Sequence, residues 1–140
     1  MGKIRVLFIC SRNSCRSQMA EAFLKKMGKD RFEVFSAGLE PTQVDPLAIK
    51  AMAEKGYDIS GQEAKSLDRY LKERFGYLIT VCNRANRLCP VFPGVSLREH
   101  WPIKDPAEAV GSEEERLNAY REARDELEKR IKVFIDRNDT

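Results

Sequence analysis

Long hydrophobic runs are missing from this chain. The apolar stretch near its start, Ile4-Arg5-Val6-Leu7-Phe8-Ile9, is about six residues long and interrupted by Arg5, against the roughly 20 needed to cross a bilayer. No secretory leader is recognisable, so a cytoplasmic, soluble protein without a membrane partner is expected. Basic tracts are missing too. The net charge is +3 with no cluster of Lys and Arg, which argues against nucleic acid as a partner while suiting a small dianion. Histidine occurs once, as His100, without a partner motif, and is read as structural. Repeats, low-complexity segments and linkers are absent. A chain of 140 residues, 42% hydrophobic and 34% charged, is expected to form one domain over residues 1–140. Cysteine is sparse, at four residues. The intervals, four residues between Cys10 and Cys15 and six between Cys82 and Cys89, do not repeat a zinc-knuckle spacing, so no metal site is expected. In a cytoplasmic chain such cysteines point to redox or catalytic use before structural disulfides.

What is present alternates. Residues 4–10 form a short apolar run ending in a polar loop, a buried strand. From Arg16 the pattern turns helical, with Met19, Ala20, Phe23, Leu24 and Met27 on one face and Gly28 as the stop. Phe32–Phe35 reads as a second strand closed by Ser36-Ala37-Gly38. Pro46 opens a helix that ends at Gly56, and Leu67–Phe75 reads as another short helix. Tyr77–Cys82 is a third strand and Val95–Trp101 a fourth. Ser112 and Glu115 form a capping box for a final helix whose stripe is Leu117, Tyr120, Ala123, Leu127, Ile131, Phe134 and Ile135. Alternating strands and helices give an α/β fold with a mostly parallel sheet, whose ligands bind beyond the carboxyl ends of the strands. Cys10 and Cys82 each close a strand in this reading.

The chemistry concentrates in Cys10-Ser11-Arg12-Asn13-Ser14-Cys15-Arg16, placed between a strand and a helix. A cysteine and an arginine five residues apart can wrap a loop around a tetrahedral oxyanion. Backbone N–H groups point inward, Arg16 forks onto two oxygens, and the Cys10 sulfur sits below the central atom. Attack needs a thiolate, which the inward N–H groups, the helix N-terminus and the arginine favour. Ser17 can hydrogen-bond the Cys10 sulfur. Asn13 can hold a strained loop, because asparagine tolerates left-handed backbone. The substrate, phosphorus or arsenic, is open at this point.

Cys10-x-x-Asn13-Ser14-Cys15-Arg16-Ser17-Gln18-Met19-Ala20-Glu21 resembles the thioredoxin-coupled arsenate reductase family, which shares the fold of low-molecular-weight protein tyrosine phosphatases. The likeness continues through Ser36-Ala37-Gly38, Ala48–Met52, Cys82, Cys89-Pro90, Glu99-His100-Trp101 and Asp105-Pro106, nearly the whole chain. One departure is Arg12, where the family usually has glycine. The resemblance implies a three-layer α/β sandwich with a central four-stranded parallel sheet. It makes Asp105 the general acid, which residue pattern alone would read as a turn.

A phosphatase has no use for further cysteines, whereas a reductase must supply two electrons. The resemblance accordingly implies a relay: Cys10 attacks arsenate, Cys82 attacks the Cys10–arsenic adduct, and Cys89 passes the oxidation to a Cys82–Cys89 disulfide. Thioredoxin then reduces it with electrons ultimately from NADPH and no bound cofactor. Phosphate and sulfate would compete with arsenate, and a monomer is expected. Seven residues of helix would hold Cys82 and Cys89 about 10 Å apart, against ~4.4–6.8 Å between bonded Cα atoms. The segment 83–92 is therefore expected to be a mobile redox loop. Cys15 is read as a half-buried packing residue. Some relatives hold potassium beneath the loop through Asn13, Glu21, Ser36 and an aspartate. Here Lys65 stands at that last position, and its ammonium is expected to replace the cation. The alternatives are a low-molecular-weight tyrosine phosphatase using only Cys10, Arg16 and Asp105, although Ala107-Glu108-Ala109 replaces the aromatics usual after the acid, and a non-catalytic redox or metal-binding module.

Overall fold

The computed structural model describes residues 2–90 and 92–138. Four strands, β1 (Ile4–Cys10), β2 (Phe32–Gly38), β3 (Phe75–Thr80) and β4 (Val95–His100), form one parallel sheet in the order β2-β1-β3-β4. β1 is central because Val6-Leu7-Phe8-Ile9 has no polar side to expose, and all four side chains are buried. Arg5 does not break the strand. Its guanidinium lies 4.8 Å from the Phe35 ring and 4.9 Å from the Phe75 ring, and it pairs with Glu33 and Glu73.

The helices are α1 (Arg16–Gly28), α2 (Pro46–Ala53), α3 (Asn83–Leu88) and α4 (Glu113–Arg137). α1 and α4 pack together and α2 lies against α4, while α3 packs on β1 and β3. Phe134 of α4 anchors one face against Phe32, Tyr77 and Trp101, with ring centroids 5.6, 4.7 and 5.9 Å away. On the other face Phe35, Tyr70 and Phe75 form a second aromatic cluster. This is the three-layer α/β sandwich expected. Among the described residues no helix is long and apolar enough to cross a membrane.

The terminal signals act as expected. Ser112 and Glu115 make both capping-box bonds at 3.1 Å. Asp45 caps α2 with Pro46 in the first turn. Gly28 is the last residue of α1, where a Cβ would lie 2.5 Å from the Phe32 ring, and the chain turns out of the helix at Lys29, whose φ is 51°.

Two expectations need correcting. Leu67–Phe75 is not a helix: Leu67–Tyr70 is a single 3-10 turn capped by Ser66, and Phe75 already belongs to β3. Pairing with β4 overrides the local periodicity, and the Phe75 N–H donates to Gly94 O at 2.9 Å. The third strand also stops at Thr80, so Cys82 does not close it. Cys82 is instead the N-cap of α3, its sulfur accepting the Ala85 N–H at 3.3 Å. The order β2-β1-β3 places the end of β1 and the start of α3 at one switch point of the sheet, where an α/β fold leaves a crevice.

Candidate active site

The loop from Cys10 to Arg16 is held from outside. A strap of residues 39–45 runs beside it. Leu39, Glu40, Thr42 and Asp45 donate their N–H groups to the carbonyls of Cys10, Ser11, Arg12 and Ser14 at 2.8–3.2 Å. The Asn13 carbonyl accepts from Gln18 Nε2 and the Cys15 carbonyl from Met19 N, both at 2.9 Å. With six consecutive carbonyls engaged outward, the loop's N–H groups are left for its concave side, and that of Asn13 reaches Cys10 Sγ at 3.2 Å. α1 adds its own N-terminal amides. It has no side-chain N-cap and no acid in its first turn, so no side chain of its own first turn competes with an incoming anion.

Asn13 is the buried hub. Its φ of 52° turns the loop, and Nδ2 donates to Ser17 Oγ at 2.8 Å and to Ser36 Oγ at 2.9 Å. Oδ1 accepts from Lys65 N and from Gln18 Nε2. Ser17 Oγ in turn lies 2.8 Å from Cys10 Sγ. Gly38 closes the arrangement, because an added Cβ would sit 2.6 Å from Asn13 N and 2.8 Å from the Arg12 carbonyl carbon.

Beneath the loop, Ser36 Oγ donates to Glu21 Oε1, and two lysines face that buried carboxylate. Lys25 Nζ is 2.5 Å away and Lys65 Nζ 3.7 Å. Burial holds the Lys65 ammonium below the ordinary lysine range, opposed by Glu21. The oxygens a potassium ion would need are engaged in these bonds and a cation already stands beside Glu21, so the residues present do not fit the ion. Among the described residues no three His, Cys, Asp or Glu side chains gather as a metal site.

Cys10, Ser11, Arg12, Ser14, Cys15 and Arg16 line a cavity of about 620 Å³ together with Cys82, Arg84 and Asp105. Arg16 is almost fully buried. Its guanidinium donates to Ile103 O at 2.9 Å and lies 3.5 Å from Asp105 Oδ2. Asp105 also starts a turn, accepting the Ala107 N–H at 3.0 Å, so the turn signal in Asp-Pro is real and coexists with its place at the site. Trp101 packs on Phe8 and Phe134, and its carbonyl accepts Ile103 N at the root of the Asp105 loop.

All four cysteines are free and buried. Cys15 is fully buried rather than half-buried, and burial pushes its thiol well above the usual cysteine range. Cys82 lies at the cavity wall, 3.4 Å from Ser11 Oγ. Cys89 ends α3, and burial raises its thiol, with Arg98 opposing. The segment 83–88 is thus a helix in this reduced state, and Val91 of the expected loop 83–92 lies outside the described residues. α3 is tethered from three sides. Asn83 Oδ1 meets His100 Nε2 at 2.9 Å, Arg98 donates to Asn86 O at 2.9 Å, and Arg84 pairs with Glu40 of the strap.

Sequence reasoning missed the carbonyl-holding strap, the loop-bonding role of Gln18, quoted there only within the motif, and the Tyr120 hydroxyl that donates to Asp45. Gln18 had a signal, a polar residue next to Met19 in the buried start of α1. The strap had none, since backbone bonds leave no mark on residue type.

These features define a class: an α/β sandwich with an oxyanion loop between its first strand and first helix. Residues 5–139 match the low molecular weight phosphotyrosine protein phosphatase family, and the chain belongs to it. Its relatives there include the arsenate reductase of Halalkalibacterium halodurans, 44% identical over 136 residues, which cover 97% of this chain and 98% of that one. The arsenate reductase of Bacillus subtilis is 41% identical over 131 residues, 94% of each chain. Among solved structures, an arsenate reductase in the phosphate binding state has a TM-score of 0.83 at 34% identity, covering 96% of this chain and 98% of its own.

Proposed function

We propose that this protein is a cytoplasmic, monomeric enzyme that reduces arsenate to arsenite through Cys10, Cys82 and Cys89 and is regenerated by thioredoxin. The observation that carries this reading is that Cys82 lines the same cavity as Cys10, with Cys89 one short helix away.

The Cys10 thiolate attacks As(V), held by the loop amides of residues 11–16 and by Arg16, while Asp105 protonates the departing hydroxide. The Cys82 thiolate then attacks Cys10 Sγ. The S–As bond breaks with its electron pair going to arsenic, which leaves as As(III), and a Cys10–Cys82 disulfide remains. Cys89 attacks Cys82 Sγ, freeing Cys10 as thiolate and forming Cys82–Cys89. The thioredoxin dithiol reduces that bond, with electrons ultimately from NADPH. Ser17 stabilises the Cys10 sulfur. Asn13, Glu21, Ser36 and Lys65 support the loop, the Lys65 ammonium acting where some relatives hold potassium, so potassium and sodium should serve equally.

α3 must unwind for the last step. Its capping residues are about 10 Å apart along the axis, beyond the ~4.4–6.8 Å a disulfide spans. The sequence permits this: α3 buries only Ala85, and two of its six residues are asparagine, a weak helix former. The test is NADPH oxidation with arsenate, thioredoxin and thioredoxin reductase. Cys82→Ser should abolish turnover, and Cys89→Ser should stop it after about one arsenite per enzyme. Sustained turnover in either variant would refute the relay, and hydrolysis of phosphate esters without arsenate reduction would favour a phosphatase.

A further inference from the structure

Four cations line the cavity: Arg12, Arg16, Arg84 and Lys104. Two are committed. Arg16 is bound to Ile103 O and Asp105, and Arg84 is paired with Glu40. Arg12 and Lys104 are exposed, and among the described residues their side chains make no ion pair or hydrogen bond. Their freedom is specific to the head groups, because the Arg12 backbone is pinned. Its carbonyl accepts the Thr42 N–H at 3.1 Å, and the missing Cβ of Gly38 gives its carbonyl carbon room. Nor is Arg12 there for loop shape, since among the described non-glycine residues only Asn13 and Lys29 have a positive φ. A rigidly based, unpartnered cation at the mouth of an anion cavity adds nothing visible to the fold.

A carboxylate of the mouth supplies the reason for it. Glu40, Asp105 and Glu108 line the same cavity; Arg84 and Arg16 pair with the first two, and Glu108 has no ion pair among the described residues, so its negative charge opposes an approaching oxyanion. We propose that Arg12 and Lys104 are entry cations, which offset that charge, draw the dianion into the mouth and hand it down to Arg16 and the loop amides. They are binding and specificity residues that favour dianionic tetrahedral oxyanions over neutral ligands. This rests on the arsenate reading and sharpens it. Arsenate enters as an anion, while the arsenite product is uncharged at neutral pH and is not held by the same cations.

The physics predicts a salt-dependent effect on capture, since exposed charges act over roughly one Debye length, about 10 Å at 0.1 M salt. The test reads sulfate, an unreactive dianion, by its protection of Cys10 from alkylation in the reduced protein. Arsenate kinetics on the same proteins keep the two readings apart. At about 20 mM salt, Arg12→Gln and Lys104→Gln should each weaken sulfate binding about two- to four-fold and the double variant about ten-fold. Arg12→Lys should restore it, and Lys72→Gln, the same charge change on an exposed residue outside the cavity, should not alter it. At about 0.5 M salt the differences should shrink below two-fold. For arsenate the loss should fall on KM more than on kcat. A double variant that binds sulfate like the wild type at low salt, or a deficit that persists at high salt, overturns the proposal. The predicted sulfate pattern in a protein that reduces no arsenate would support the entry cations while overturning the reductase reading.

Discussion

Gly38→Ala tests how the oxyanion loop is built. The added methyl would sit 2.6 Å from Asn13 N, 2.8 Å from the Arg12 carbonyl carbon and 3.0 Å from Ser11 O. All three are backbone atoms of the loop, so no side chain can swing aside. To restore an ordinary contact of about 3.4–3.5 Å the loop must retreat by about 0.8 Å. Overpacking of this kind costs about 1–3 kcal/mol, or roughly 3–10 °C in Tm for a chain of this length. A displacement near 1 Å between reacting groups costs on the order of 100-fold in rate. The expected outcome is a folded protein with a lowered Tm and arsenate kcat/KM down roughly 30- to 100-fold, measured well below the variant's Tm. Gly61→Ala is the control, since a Cβ there meets nothing within 4 Å. Wild-type kcat/KM in Gly38→Ala would refute the claim that close approach of β2 to the loop sets its geometry.

Oxidation should unwind α3, so amide exchange over residues 83–90 should speed up in the Cys82–Cys89 disulfide form relative to the reduced form; equal protection in both states would count against the relay. Burial holds the Cys89 thiol above the usual range. Its attack therefore quickens as pH rises from 7 toward 9, and the pH profile of the multiple-turnover rate should differ on its alkaline side from that of the single turnover of Cys89→Ser, which omits the Cys89 step. Identical pH profiles would contradict this. Glu54 is lowered to about 2 by the Arg121 hydrogen bonds, with Arg124 assisting. A depressed carboxyl stabilises the fold above its unfolded pKa of about 4.3, and that contribution is lost as pH falls through about 2. The Tm gap between wild type and Glu54→Gln should accordingly be widest near pH 6 and close below pH 2, and a constant gap would show that the ion pairs do not carry it.

Where one face or one run of side chains decides the outcome, the residues alone foretold the structure. Val6-Leu7-Phe8-Ile9 is buried on both sides and became the central strand, and the stripe from Leu117 to Phe134 became the buried face of α4. Cys10, Asn13, Arg16 and Ser17 were legible as site candidates because their chemistry is local and their order along the chain is telling, whereas Cys82 and Asp105 became candidates through the family resemblance. Leu67–Phe75 misled for the opposite reason. Its apolar residues suit a helix as well as a strand end, and the choice was made by β4, some twenty residues further on. Residue types and their spacing thus determined the fold class by themselves and singled out Cys10 as the candidate nucleophile. Tertiary structure alone decided how four of the loop's carbonyls are held by residues 39–45. It also decided why Gly38 must lack a side chain, how Lys65 comes to face Glu21, and that Arg12 and Lys104 line the cavity without an ion pair among the described residues. Those features depend on distances between segments brought together only when the sheet forms, and a one-dimensional pattern carries no record of such distances.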